Sequence, residues 1–206
     1  MTDLIPLPPT PTLETERLIL RPLRLDDAPA IQREFGHWEI VRHLHAGIPW
    51  PYPADGAETN ARECLAARER GEQVFWVLTL KGGDDEAIGQ IDLRPEIVGA
   101  RDMRGFWLAR AFWGRGLMTE AAERVTAYAF EDLGWPHLYL TNAAANDGSH
   151  RIKEKQGAEL IDVTPADYVS GPGARETWIL RREAWLARAP NTQAGSGSSR
   201  PGRDAT

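Results

Sequence analysis

The sequence predicts an α/β fold, and three features carry that prediction. Two apolar runs, QVFWVLTL at 73–80 and EAIGQIDLR at 86–94, flank the turn KGGDD, which is a hairpin signature. A third run, RGFWLA at 104–109, passes through glycines into apolar residues at helical spacing. The 206 residues are 42% hydrophobic and 26% charged, so one ordinary globular domain is expected, without metal or disulfide support.

The elements follow in order. Pro6, Pro8, Pro9 and Pro11 keep residues 1–12 extended and unsuited to a sheet, so they read as an arm or a disordered leader. ERLILRPLR at 16–24 is strand-like. Asp26-Asp27 before Ala28-Pro29 then open a helix, with Ile31 and Phe35 on its buried side. Residues 36–54 read as an aromatic loop, and Asp55 caps a second helix that runs to Gly71. The hairpin and the third run make three consecutive antiparallel strands. Leu117, Ala121, Val125 and Tyr128, spaced 4, 4 and 3, mark one face of a helix ending at Gly134. HLYLTNA at 137–143 is a strand, and Asp147–Gln156 a short polar helix stopped by Gly157. Strands near 158–163 and 176–181 and a helical turn at Arg182–Arg188 close the domain, which spans 13–189. From 190 to 206 the Gly/Ser/Pro-rich sequence lacks the apolar residues to offset ordering entropy and reads as a disordered tail.

Lys and Arg total 24 against 30 Asp and Glu, a net charge of −6. That balance argues against nonspecific nucleic-acid binding. It leaves room for a small anion held by backbone N–H groups. The single Cys64 excludes an intramolecular disulfide and multi-cysteine metal sites, and fits a cytoplasmic compartment. No signal-like or membrane-spanning run is seen, so no membrane partner is expected.

Two segments carry chemistry. In the first, residues 105–121, a strand turns through Gly114-Arg115-Gly116 straight into a helix, so unpaired N–H groups converge on one spot. The two glycines remove side chains that would keep a phosphate away, although they equally suit a tight turn with no ligand. No GxxxxGK[ST] is present, and a dinucleotide GxGxxG fails at Thr119. The second segment, Asn146–Ala158, alone reads as a turn, a helix cap and a solvated face.

Together these segments resemble the GNAT superfamily of acyl-coenzyme-A-dependent N-acetyltransferases, specifically its Rim-type ribosomal-protein branch. LETERLILRPLRLDDA resembles that branch's first strand and helix start, and AIGQIDL its third strand. GFWLARAFWGRGLMTEAA is similar to its coenzyme A motif, NDGSHRIKEKQGA to the next helix, and WILRREAW to the last strand. The five blocks lie in register over residues 13–186. The resemblance implies the GNAT-like acyltransferase fold, a mixed, mostly antiparallel sheet of six or seven strands flanked by helices.

It also implies acetyl-CoA as cosubstrate and direct attack by an uncharged primary amine in a ternary complex. The family's pyrophosphate motif, laid on this chain, runs from Trp113 through Gly116 to Met118 and departs at both outer positions. Gly114, Arg115, Gly116, Leu117, Met118 and Thr119 then hold phosphate, mainly through backbone N–H groups. Leu108, Ala109 and Arg110 match the edge where the sheet splays and a backbone N–H polarises the thioester carbonyl. Asn146 matches a contact to the pantetheine arm. Many members donate a proton to the departing thiolate from a tyrosine, but that position holds Lys153 here. Ser149, as in Rim-type enzymes, is the expected donor.

For the base, Asp167 in TPADYV matches a Rim-type carboxylate in the loop before the last strand, with Glu176 and Asp92 as rivals. Met103 stands where the family often has a glutamate. Trp38, Trp50 and Tyr52 form either a substrate-site wall or local packing. His37, His43 and His45 lack metal-ligand spacing, so no metal is expected. The expected acceptor is a peptide or protein N-terminus, or a small amine, and homodimers occur among relatives. Rival readings are a coenzyme-A-binding module without transfer activity and an NAD(P)-dependent oxidoreductase.

Overall fold

The computed structural model describes residues 6–97 and 101–188. The whole of the tail expected at 190–206 and the first five residues of the arm lie outside that range. Among the described residues, eight strands form two sheets, five strands in the order β1-β2-β3-β4-β5 and three in the order β6-β8-β7, each pair antiparallel. In chain order they are β1 (Leu13–Glu14), β2 (Leu18–Pro22), β3 (Val74–Leu80), β4 (Gly89–Leu93), β5 (Arg104–Leu108), β6 (His137–Ala143), β7 (Glu159–Tyr168) and β8 (Gly171–Arg181). The helices are α1 (Ala28–Phe35), α2 (Trp38–Val41), α3 (Gly56–Glu69), α4 (Leu117–Ala127), α5 (Asp147–Lys155) and α6 (Arg182–Arg188).

Alternation along the strands gives the larger sheet two apolar faces. Leu18, Leu20, Trp76, Leu78, Ile91 and Leu93 pack with Leu117, Ala121 and Val125 of α4. Leu23, Val77 and Trp107 pack on the opposite face with Ile31 of α1 and Ala57, Ala61 and Cys64 of α3. Burial pushes the Cys64 thiol up to about 12, so it sits as an unreactive core group.

Several expectations shift for physical reasons. Residues 7–11 are docked, because Leu7 N–H bonds the Gly71 carbonyl at 2.8 Å and the Trp76 indole bonds the Pro11 carbonyl at 2.7 Å. Asp27 makes no side-chain cap for α1. Its carboxylate instead takes the buried Arg21 guanidinium in a fork at 2.9 and 2.7 Å, and the Arg24 N–H at 2.8 Å. The aromatic loop contains α2, and the helix at 117–134 becomes π-helical from Tyr128 to Asp132. The last two strands are longer than the apolar pattern shows, since their distal halves are exposed ribbon paired out to Tyr168 and Gly171. Among the described residues, no helix is long and apolar enough to cross a membrane.

Candidate active site

The site lies where the two sheets separate. Met103 N–H bonds the Tyr139 carbonyl at 2.8 Å, tying the start of β5 to β6. Beyond it, β5 presents an open edge. In the β4–β5 ladder, Ala109 N–H reaches the Ile88 carbonyl at 2.8 Å, so Gly89 and Leu108 form a pair that exchanges no backbone bonds. The N–H of Leu108 therefore points away from β4, into the gap. Ala109 cannot polarise a thioester, because its N–H is spent inside the sheet. Arg110 faces outward and pairs with Glu39 at 3.2 Å.

The turn after β5 is held by side chains. Trp113 is half-exposed, and its indole N–H bonds the Leu108 carbonyl at 2.7 Å, folding the turn back on the strand end. Gly114 and Gly116 adopt φ of +73° and +77°, which a side chain resists. Gly116 is the N-cap of α4, and its carbonyl receives the Glu120 N–H at 3.0 Å. Among the described residues, no backbone bond outside the helix itself takes the N–H groups of residues 114–119, which leaves a helix start with donors open to solvent. Leu117 and Met118 bury their side chains in the core and offer only backbone here.

Arg17 completes this turn, and no sequence motif had marked it. Its Nη1 bonds the Arg115 carbonyl at 3.0 Å, and its backbone N–H and Nε bond the Glu120 carboxylate at 2.8 and 2.7 Å. Glu120 would otherwise repel an anion at the helix start. Burial alone would raise its pKa, but Thr15 and Arg17 outweigh that and keep it lowered. Arg115 packs its guanidinium 5.4 Å from the Phe112 ring.

Two cavities open on the gap. The smaller, about 620 Å³, lies between residues 113–119 and the first turn of α5. The larger, about 1210 Å³, lies over the opposite sheet face, against Tyr52 and Cys64, with Asp92 and Asp167 on its walls. They share His43, Leu44, Phe106, Trp107, Asn146 and Ser149. A roof comes from residues 42–46, whose backbone is stitched to the β7–β8 turn: Ala46 N–H to Asp167 carbonyl at 3.1 Å, Val169 N–H to Leu44 carbonyl at 3.0 Å.

Ser149 stands at the junction. Asn146 caps α5 by accepting the Ser149 N–H at 3.1 Å. The Ser149 hydroxyl accepts from Lys153 Nζ at 2.8 Å. Lys153, one turn on, is 1% exposed, and burial together with the Arg104 charge pushes its pKa down to about 7. Its inward position could have been read from α5, where Ser149, Ile152, Lys153 and Gln156 share the buried face.

The expected carboxylates separate. Asp167 lines the larger cavity, but it lies inside β7 opposite Pro172 and not in a loop. Asp92 also lines it, with Oδ2 held by Gln73 at 2.7 Å and Arg94 at 2.5 Å. Burial raises its pKa against those partners. Glu176 lines neither cavity: its Oε2 accepts from Asn142 and from His150 Nδ1, both at 2.8 Å. Burial would raise its pKa, and these bonds lower it, which suits an ion-pair partner and not a base. Among the expected wall residues only Tyr52 reaches a cavity. Trp38 and Trp50, 39% and 44% exposed, pack on each other outside.

A sheet that splays beside a glycine-rich helix start is the arrangement that the resemblance to acyl-CoA-dependent transferases implies. The acetyltransferase (GNAT) domain matches residues 17–159, and the chain belongs to the GNAT acetyltransferase family. It is 30% identical over 155 residues to "Probable N-acetyltransferase YjcK" of Bacillus subtilis (strain 168), covering 70% of this chain and 82% of that one. The fold is also that of Mycobacterium smegmatis RimJ in complex with CoA-disulfide, with TM-score 0.72, 19% identity, and 84% and 88% of the two chains covered. RimL, a ribosomal L7/L12 alpha-N-protein acetyltransferase solved with coenzyme A, superposes with TM-score 0.71 at 13% identity, over 84% of this chain and 99% of that one. The enzyme is thus an acetyltransferase by family.

Proposed function

We propose that the protein transfers the acetyl group of acetyl-CoA to a primary amine, in a ternary complex, with a peptide N-terminus as the first acceptor class and a small amine as the second. The observation that carries this reading is the meeting of two cavities at Ser149, beside the outward N–H of Leu108. The smaller cavity suits the cofactor, with its pyrophosphate on the N–H groups of residues 114–119 and its pantetheine along Asn146. Leu108 N–H is placed to polarise the thioester carbonyl, and Ser149 to protonate the departing sulfur.

The larger cavity suits the amine. Asp167 is exposed within it, and its carboxylate makes no hydrogen bond among the described residues, so it can accept the ammonium proton directly or through water. Asp92, held by Gln73 and Arg94, is less free to do so.

Thermal unfolding with acetyl-CoA, coenzyme A and NAD(P)H tests the reading. A ligand at about 100 times its Kd stabilises by about 2.7 kcal/mol, which raises Tm by roughly 5–11 °C for a domain of this size. That shift is expected with the coenzyme A ligands alone, and an amine panel then reads turnover. Gly116→Asp is expected to weaken coenzyme A binding at least about tenfold, because it puts a carboxylate on the phosphate turn and a side chain at positive φ. A shift with NAD(P)H only would point to an oxidoreductase. Tight coenzyme A binding with no amine acetylated would point to a binding module.

A further inference from the structure

Lys153 is a buried titratable group with no part in the chemistry so far described. Its Nζ bonds Ser149 Oγ at 2.8 Å and the Ser149 carbonyl at 3.4 Å, and sits 5.7 Å from the Phe106 ring centre. Among the described residues, no carboxylate lies within ion-pair distance of it, Asp102 and Glu176 acting only from farther away. Arg104 flanks the same ring at 5.9 Å, is buried against the larger cavity, and is held by Thr126 and Gln156, both at 2.8 Å. Two cations buried without a paired carboxylate are costly, and packing alone would be better served by an apolar side chain. Their position makes sense if negative charge develops nearby. Lys153 itself lines neither cavity, whereas Ser149 and Phe106 line both. Because Ser149 Oγ accepts from Lys153, its own hydroxyl hydrogen is free to donate toward the cavity junction.

We infer that Lys153 supplies, through the Ser149 hydroxyl, the proton taken by the departing coenzyme A thiolate, an inference that rests on the acetyl transfer proposed above. The amine lone pair forms the new C–N bond, the C–S bond breaks, and its electron pair stays on sulfur. Sulfur takes the Ser149 proton as Oγ takes one from the Lys153 ammonium. The amine's own proton leaves on the opposite side, to the base, and solvent restores Lys153. Lys153 is therefore a positioning and proton-supplying residue that acts through Ser149. The charged groups around Nζ are Arg104 of β5, Asp102 just before it, and Glu176 of β8. Burial among them keeps the ammonium acidic enough to give up its proton near neutral pH.

Lys153→Met, Ser149→Ala and the double variant test this, with two readouts. In turnover, each single change is expected to lower kcat at least about tenfold with coenzyme A Kd within about twofold, and the double variant to fall no further, since the two groups act in series. In the second readout, kcat is followed across pH: wild type is expected to lose activity as pH climbs through about 7 and Lys153 gives up its proton, and Lys153→Met is expected to lack that limb. Losses that multiply in the double variant, or a limb that persists in Lys153→Met, would overturn the relay while acetyl transfer stands. A wild type that binds coenzyme A tightly but acetylates no amine in the panel would overturn the acetyl-transfer reading and the relay together. Failure of wild type to bind coenzyme A would overturn the acetyl-transfer reading and the relay together.

Discussion

Lys153 shows how one side chain can be placed against its own stability. Its pKa falls from 10.5 in the free chain to about 7 in the fold, with burial the main cause. A basic group with a depressed folded value loses stability wherever the unfolded chain would hold the proton more firmly. The penalty is full below about pH 7 and fades as pH rises toward 10.5. It is on the order of a few kcal/mol, one pKa unit being about 1.4 kcal/mol. Lys153→Met is therefore expected to raise Tm at pH 6–7 while lowering kcat, with the Tm gain vanishing near pH 10.5. Thermal unfolding of both proteins across that range checks it. A variant less stable than wild type at pH 6 would mean that the ammonium is a structural anchor. The buried position was legible from the spacing in α5, but the hydrogen bond to Ser149 was not, because a lysine in a polar helix reads as solvated until the helix is packed.

Helix α5 is fixed to β8 by the ion pair between His150 and Glu176, backed by Asn142 and by the Trp178 indole on Asn142 Oδ1 at 3.0 Å. The His150 pKa is raised, first by its hydrogen bond to Glu176, so its contribution is full below about pH 6.5 and is lost as pH climbs through the folded value. The Glu176 pKa is lowered, so its contribution is present above about pH 4.5 and is lost as pH falls through its folded value. Both are complete only between those limits. The Tm difference between wild type and His150→Gln is expected to be largest at pH 4.5–6.5 and to shrink on either side. A difference independent of pH would show that His150 acts by packing on Trp178, 4.9 Å away, and not by charge.

The two sheets put the two halves of the site on different supports. The glycine turn proposed to hold phosphate hangs from β5 and α4, whereas Asn146 and Ser149 hang from β6 and α5, with Met103 and Tyr139 as the backbone link between them. A cofactor filling the gap must touch both. Hydrogen exchange with saturating coenzyme A is expected to slow at residues 114–119 and 146–150 together. Slowing at the turn alone would mean that the cofactor stops short of the junction. The roof at 42–46 also crosses from the α1–α3 side to the β7–β8 turn, so it encloses the larger cavity without belonging to either sheet.

Local pattern alone determined the hairpin, the strand that turns through Gly114 and Gly116 into α4, and the limits of α1 and β6. These depend on spacing and on conformations available to nearby residues, which a linear chain displays. Tertiary structure decided the rest. Residues 103 and 139 or 150 and 176 are distant in sequence, and only folding sets which N–H remains open, which carboxylate is saturated and which cation is stripped of water. That is why Ala109 lost its expected role to Ile88, Glu176 its role to His150 and Asn142, and Trp38 and Trp50 theirs to each other on the surface. Arg17 and Lys153 gained significance only because burial and long-range contact change what an ordinary charged side chain can do.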